Sequence, residues 1–174
     1  MYYKELYVSN ESKPFPATIR NYREEDFAEL IRIQKECFPP PFPEELWWNT
    51  EQLNNHTALF PEGALCIEVE GKLAGSMTAL LVDFDMNEPH HTWEEITDNG
   101  YIRTHNQNGN TLYVVDICVS PVYRKLGLGK WLMLSMYDIV VHLKLERLLG
   151  GSRMPGYHRY EKDMTPELYV QSVV

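Results

Sequence analysis

The sequence predicts an α/β (α+β) domain built on a mixed, mostly antiparallel central sheet flanked by helices. Three observations carry that expectation. Glu70-Gly71-Lys72 lies between two apolar runs and marks a tight hairpin. The run from Thr111 to Val119 is almost unbroken in apolar and β-branched residues, as in a strand covered on both faces. Beyond Gly129, residues Trp131, Leu132, Ser135, Asp138, His142 and Leu145 fall on the faces of a long amphipathic helix.

Taken in order, residues 1–15 mix Tyr, Ser, Asn, Lys and Pro and predict an extended lead-in, with the domain occupying 16–174. Residues 17–22 alternate like a half-buried strand. The acids of Arg23-Glu24-Glu25-Asp26 suit a helix N-terminus. Phe27, Leu30, Ile31 and Gln34 then keep helical spacing until Pro39-Pro40-Pro41 ends it. A second helix is expected over 43–54, and strands over 64–70 and 72–82. Residues 83–110 break into acids, His, Asn and Gly around a short helical stretch, Trp93-Glu94-Glu95-Ile96. A segment this long reads as an insertion. After the long helix come a short strand at Arg147-Leu148-Leu149, a turn at Met154-Pro155-Gly156-Tyr157, and a helix capped by Thr165 with Pro166 in its first turn.

Composition narrows the function. With 174 residues, 44% of them hydrophobic, the chain is long enough for one well-filled core and short for two. Its net charge of -9 argues against a nucleic-acid or anionic membrane partner, either of which needs a basic face. Cys37, Cys66 and Cys118 are unclustered and sit in apolar surroundings, as buried thiols of a reducing, cytoplasmic compartment do. No signal peptide or membrane-spanning run is present in the sequence.

The chemistry is carried by Asp116-Ile117-Cys118-Val119-Ser120-Pro121-Val122-Tyr123-Arg124-Lys125-Leu126-Gly127-Leu128-Gly129-Lys130. A buried strand runs into a loop with two glycines and three cations and then into a long helix. Glycines let backbone N–H groups approach a ligand, and a helix N-terminus adds unpaired donors and a favourable dipole. In an acidic protein, that combination is an anion cradle suited to a pyrophosphate. The dinucleotide fingerprint does not fit, because the third glycine is missing and the loop comes late. Gly129-Lys130-Trp131 lacks the Ser or Thr of a nucleotide-hydrolase loop.

The order of elements, with Arg124-x-x-Gly127-x-Gly129 opening the long helix, resembles the GCN5-related N-acetyltransferase (GNAT) superfamily. The approach Val119-Ser120-Pro121-Val122-Tyr123 is similar too. The tail, Ser152-Arg153-Met154-Pro155-Gly156-Tyr157 followed by Met164-Thr165-Pro166-Glu167-Leu168-Tyr169-Val170, looks like the acetyltransferase domains fused to carbon–nitrogen hydrolases. The resemblance implies an acyl-CoA N-acyltransferase fold and acetyl-CoA as co-substrate, with no metal. It implies that Arg124, Lys125, Leu126, Gly127, Leu128, Gly129 and Lys130 hold the pyrophosphate. The backbone of Ile117, Cys118 and Val119 would pair with the pantetheine arm like an added strand, and an N–H near Val119 would polarise the thioester carbonyl. An amine would then attack directly, in a ternary complex.

Asp116 is the first candidate base, since a carboxylate in an apolar strand is costly unless paired or used. Tyr157, Tyr160 and Tyr169 compete as the acid that reprotonates the thiolate, with His158 behind them. Each has a plainer reading: a paired buried acid at Asp116, a simple turn at the loop, packing tyrosines. The pair His90-His91 reads as solvated rather than metal-binding. Trp47-Trp48 reads as core and as a lip of the acceptor cleft. The acids of 83–110 favour a cationic acceptor. The family closes its sheet with two strands after the last helix, which this sequence lacks; that predicts a fragment of a longer protein, or a sheet completed by a fused or partner domain or a second copy. The alternative function is a non-catalytic acyl-CoA-binding or docking module.

Overall fold

In a computed structural model of the chain, which describes every residue except Glu11, Arg153, Pro155 and Val174, six strands form one sheet in the order β1-β2-β3-β4-β5-β6. The strands are β1 (Tyr3–Ser9), β2 (Pro14–Asn21), β3 (Ala64–Val69), β4 (Lys72–Val82), β5 (Thr111–Val119) and β6 (Arg147–Gly150). All neighbours are antiparallel except β5 and β6. That parallel pair needs a crossover, which the long helix α4 (Leu128–Leu143) supplies. The sheet is therefore mixed and mostly antiparallel, as the sequence predicts.

The expected lead-in is part of the sheet. Tyr3–Ser9 alternates outward and inward, Val8 reaches the core at 2% exposure, and the whole segment pairs with β2. Its outward Glu5 is a charge of the kind an edge strand carries, while Lys4 on the inner face pairs with Asp138 of α4 at 3.1 Å.

Helix α1 (Phe27–Cys37) buries Phe27, Leu30 and Ile33 against β4 and β5. Its entry is held by Arg20, which grips both oxygens of Asp26 at 2.7 and 2.9 Å and Glu68 at 2.5 Å, tying β2, β3 and α1 together. The second helix differs from expectation. Residues 43–54 do not form one helix: a 3-10 turn (Glu44–Leu46) comes first, and α2 runs from Thr50 to Leu59. The reason is the cap at Asn49, whose side chain accepts from Gln52 N–H while Gln52 returns a bond to Asn49 N–H, each at 2.9 Å. Asn49→Ala should cost about 1 kcal/mol, measurable as a lower midpoint in urea.

Residues 83–110 are largely exposed but anchor to the core at a few points. Within them α3 (Trp93–Thr97) is capped by Thr92, and Ile102 and Thr97 are fully buried. Gly100, at φ +81°, lies flat on Trp48; a Cβ there would come within 2.5 Å of its ring. Trp48 itself is core rather than lip, at 4% exposure. Helix α5 (Pro166–Ser172) is the last element, and no strand follows β6 among the described residues. No helix among them is long and apolar enough to cross a membrane.

Candidate functional site

The loop after β5 turns through two left-handed residues. A 3-10 turn (Pro121–Tyr123) leads to Arg124, and then Lys125 and Gly127 both adopt left-handed backbone, at φ +69° and +72°. Gly127 is the N-cap of α4, and being glycine it offers no capping side chain. The N–H groups of Leu128, Gly129 and Lys130 therefore leave the first turn uncapped. Arg124, Lys125 and Lys130 are exposed, and no ion pair among the described residues takes up any of the three. Leu128 is core, and Leu126 is half-buried beside it.

The glycine at 129 is informative. Its φ is not in the left-handed region, and a Cβ built there meets only Ile117 Cδ1, at an ordinary 3.7 Å. Internal packing does not demand glycine at this position. A half-buried bare backbone at a helix N-terminus does fit an approaching phosphate.

Beside the loop, β5 loses a neighbour. Pairing with β6 runs from Thr111↔Arg147 to Val114↔Gly150 and stops, while β5 continues to Val119 against β4 alone. A bulge at Val115 re-aims the strand just there, because Thr78 faces Asp116 and Ala79 faces Val114. Ser120 N–H donates to Ala74 O at 2.8 Å, in register with the Val119↔Gly75 and Cys118↔Ser76 pairs. Strand alternation then turns the backbone groups of Cys118 and Asp116 toward β4, and those of Ile117 and Val119 toward the open side.

The two faces of β5 differ. Ile117 lies under α4, whereas Asp116 and Cys118 share the face of Thr78 and Ser76 on β4, beneath α1 and α2. Asp116 is half-buried, and its charge is felt by Tyr22, Cys37 and Cys118. Behind it runs a buried chain that nothing in the sequence signalled. Gly100 O accepts from His56 Nε2 at 2.6 Å, so His56 Nδ1 must accept from the Tyr22 hydroxyl at 2.9 Å. The Tyr22 oxygen in turn accepts from Thr78 Oγ1 at 2.9 Å. Burial lowers His56 to about 4 and pushes the Tyr22 hydroxyl well up, so both stay neutral.

Cys37, at the last turn of α1, is not the buried thiol its sequence surroundings suggest, because it ends the helix at the edge of the core. Its thiol is half-buried and donates to Val119 O at 3.2 Å. A bond from the Cys118 thiol and the nearby Arg124 charge hold Cys37 below the usual thiol range, while the same bond and burial push Cys118 up.

The tyrosines gather round one another. Tyr169, 3% exposed, packs on Tyr157 with ring centres at 5.3 Å and on Tyr160 at 5.4 Å. The Tyr157 hydroxyl donates to Met164 O at 2.9 Å, so its proton is engaged, and Tyr160 is partly exposed. His158 is exposed. His91 bonds Tyr113 OH at 3.3 Å, His90 is exposed, and no metal-ligating cluster occurs among the described residues. A cavity of about 500 Å³ opens beside β1 and the end of β2, between Tyr2, Tyr22, Arg23 and Pro61; it is lined by no residue of β5 or of the Arg124–Lys130 loop.

Comparison with known proteins agrees with this geometry. A model of the acetyltransferase (GNAT) family matches residues 27–162. The chain is 54% identical over 171 residues to an uncharacterised N-acetyltransferase, YkwB, of Bacillus subtilis (strain 168), covering 98% of this chain and 76% of that one. It is 41% identical over 155 residues to the probable hydrolase YhcX of the same organism, covering 89% of this chain and 29% of that longer protein. Among solved structures, the loading GNATL domain of CurA from Lyngbya majuscula superposes with a TM-score of 0.70 at 19% identity, over 86% of this chain and 70% of that one. The GphF GNAT-like decarboxylase in complex with isobutyryl-CoA gives 0.69 at 21% identity, over 88% and 75%. The structural likenesses establish the fold, and the family match and the 54% identity establish descent: the chain belongs to the acetyltransferase (GNAT) family.

Proposed function

We propose that this chain transfers an acetyl group from acetyl-CoA to a primary amine of a small molecule or peptide, by direct attack in a ternary complex. The carrying observation is the junction of β5 and α4, where uncapped N–H groups, three exposed cations and a glycine that packing does not require adjoin a strand edge that β6 leaves open. The cradle takes the pyrophosphate, with Arg124 and Lys130 flanking it. The edge at Ile117 and Val119 pairs with the amides of the pantetheine arm. The Val119 N–H then stands where it can bond the thioester oxygen as charge builds on it.

Asp116 receives the amine proton, directly or through a water. The Thr78–Tyr22–His56 chain behind it is neutral and does not compete for that proton. The protonated amine is a cation, which an acidic protein attracts. Of the tyrosines, Tyr160 suits the acid role better than Tyr157, because the Tyr157 proton is already bonded to Met164 O. The three free cysteines favour a cytoplasmic setting.

Thermal unfolding with acetyl-CoA, against ATP and NADH as controls, tests the reading. At about 100 times its dissociation constant, acetyl-CoA should add roughly 2.7 kcal/mol of stability. Equal or larger shifts with ATP or NADH would reject it. Asp116→Asn should keep that shift and slow turnover of an amine panel by about tenfold or more.

A further inference from the structure

We propose that Cys37 and Cys118 form an oxidisable pair, which hydrogen peroxide converts to a disulfide that shuts the thioester end of the site. The bond itself stands on the geometry of the thiols; its effect on the ligand rests on the acyl-CoA reading above.

The two thiols come from different elements that meet here: Cys37 Sγ reaches the backbone carbonyl of Val119, the residue next to Cys118. Cys37 ends α1, and Cys118 lies on the β5 face that α1 covers. The Cys37 bond to Val119 O is 3.2 Å long, and Cys118 Sγ contacts Ser76 Oγ at 3.5 Å. The third cysteine is excluded by the sheet. Cys66 pairs with Ser76, which pairs with Cys118, so Cys66 and Cys118 stand two strands apart, roughly 9.6 Å. That exceeds the span a disulfide bridges. Helix α1 and β5, by contrast, approach with Cα atoms within 8 Å, and Cys37 sits at a helix end where a small shift disturbs one turn only.

The roles follow from the surroundings. Cys37 is the accessible member and lies near Arg124, so its thiolate is the one that meets peroxide. Its sulfur attacks one peroxide oxygen: an S–O bond forms, the O–O bond breaks, and the departing hydroxide takes the thiol proton as water. Cys118, buried at 4% exposure, then attacks the Cys37 sulfenic sulfur. The S–S bond forms, the S–O bond breaks, and the oxygen leaves with the Cys118 proton as a second water. The bond fixes the end of α1 beside Val119, whose carbonyl Cys37 already contacts, and so holds it against the edge where the pantetheine arm would pair.

The test treats the chain with hydrogen peroxide and then alkylates, digests and maps it by mass spectrometry. The expected result is a Cys37–Cys118 linked peptide with Cys66 still alkylated, and an acetyl-CoA thermal shift that vanishes on oxidation and returns with dithiothreitol. Cys66→Ser should behave the same way, and Cys37→Ser should keep its shift in peroxide. Sulfinic acid on an unlinked Cys37, or an intermolecular link, overturns the proposal. A linked chain that still binds acetyl-CoA overturns the closure. If the reduced chain shows no acetyl-CoA shift, it is the acyl-CoA reading that fails, and the peptide map decides the disulfide alone.

Discussion

Gly129→Glu should lower affinity for acetyl-CoA by about 100-fold and leave the fold standing. The position is suited to a clean test. Its backbone is in an ordinary region, and the new Cβ meets only Ile117 Cδ1 at 3.7 Å, so no packing is disturbed. A glutamate in the first turn of α4 even complements the helix dipole, which favours stability. What it harms is the anion site, because a carboxylate then stands where a pyrophosphate would be held. Juxtaposed like charges cost several kcal/mol, and about 3 kcal/mol corresponds to a little over 100-fold in affinity. Isothermal titration with acetyl-CoA reads the affinity, and urea unfolding reads the fold. Unchanged affinity in a folded Gly129→Glu would mean that the loop is a turn and nothing more. Arg124→Ala at the same loop should cost nearer tenfold, since an exposed contact is worth less.

The second large effect is on stability, and it comes from His56. The ring is fully buried and bonded at both nitrogens, and burial lowers it to about 4 from an ordinary 6.5. Above pH 6.5 it is neutral folded and unfolded alike, and the native state is at full stability. As pH falls from 6.5 toward 4, the unfolded chain takes a proton that the folded chain refuses. Stability then drops by about 3 kcal/mol across that window. His105, lowered by burial, adds to the fall in the same sense. Asp26 does not contribute there. Burial pushes it up but the Arg20 bonds hold it below its ordinary 3.8, so its share is lost only at more acid pH. Urea midpoints between pH 7.5 and 4.5 measure the slope, and His56→Gln should remove the larger part of it. An equal slope in His56→Gln would show that the ring is already charged or wet in the folded state.

The two effects lie at different depths of legibility. The Arg124 to Lys130 loop could be read directly, because glycines, cations and a following helix are local features; the left-handed backbone at Gly127 is one glycine favours, whereas the same backbone at Lys125 is not one its residue type predicts. The strand Thr111–Val119 and the hairpin at Gly71 were legible for the same reason, since period and turn chemistry act over a few residues. The lead-in misled because Tyr3–Ser9 carries its pattern weakly, with Val8 alone fully inward, and only pairing with β2 makes it a strand. The second helix was misplaced because the Asn49–Gln52 cap outweighs the apolar spacing upstream.

By itself, then, the sequence determined the class of sheet, the glycine-bearing cationic loop and the carboxylate beside it, all of them properties of short stretches. Tertiary structure alone decided which distant side chains meet. His56 stands among polar neighbours, Asn54-Asn55-His56-Thr57, and looks solvated. It is buried because α2 presses it between Tyr22 and Gly100, residues far from it in the chain. Cys37 and Cys118 show no spacing that would pair them, and Cys37 reaches the backbone beside Cys118 only because α1 lies across β5. The early end of β5–β6 pairing, which opens the strand edge at Ile117 and Val119, is likewise invisible in a run of apolar residues. Burial and register belong to the whole sheet, and no local window contains them.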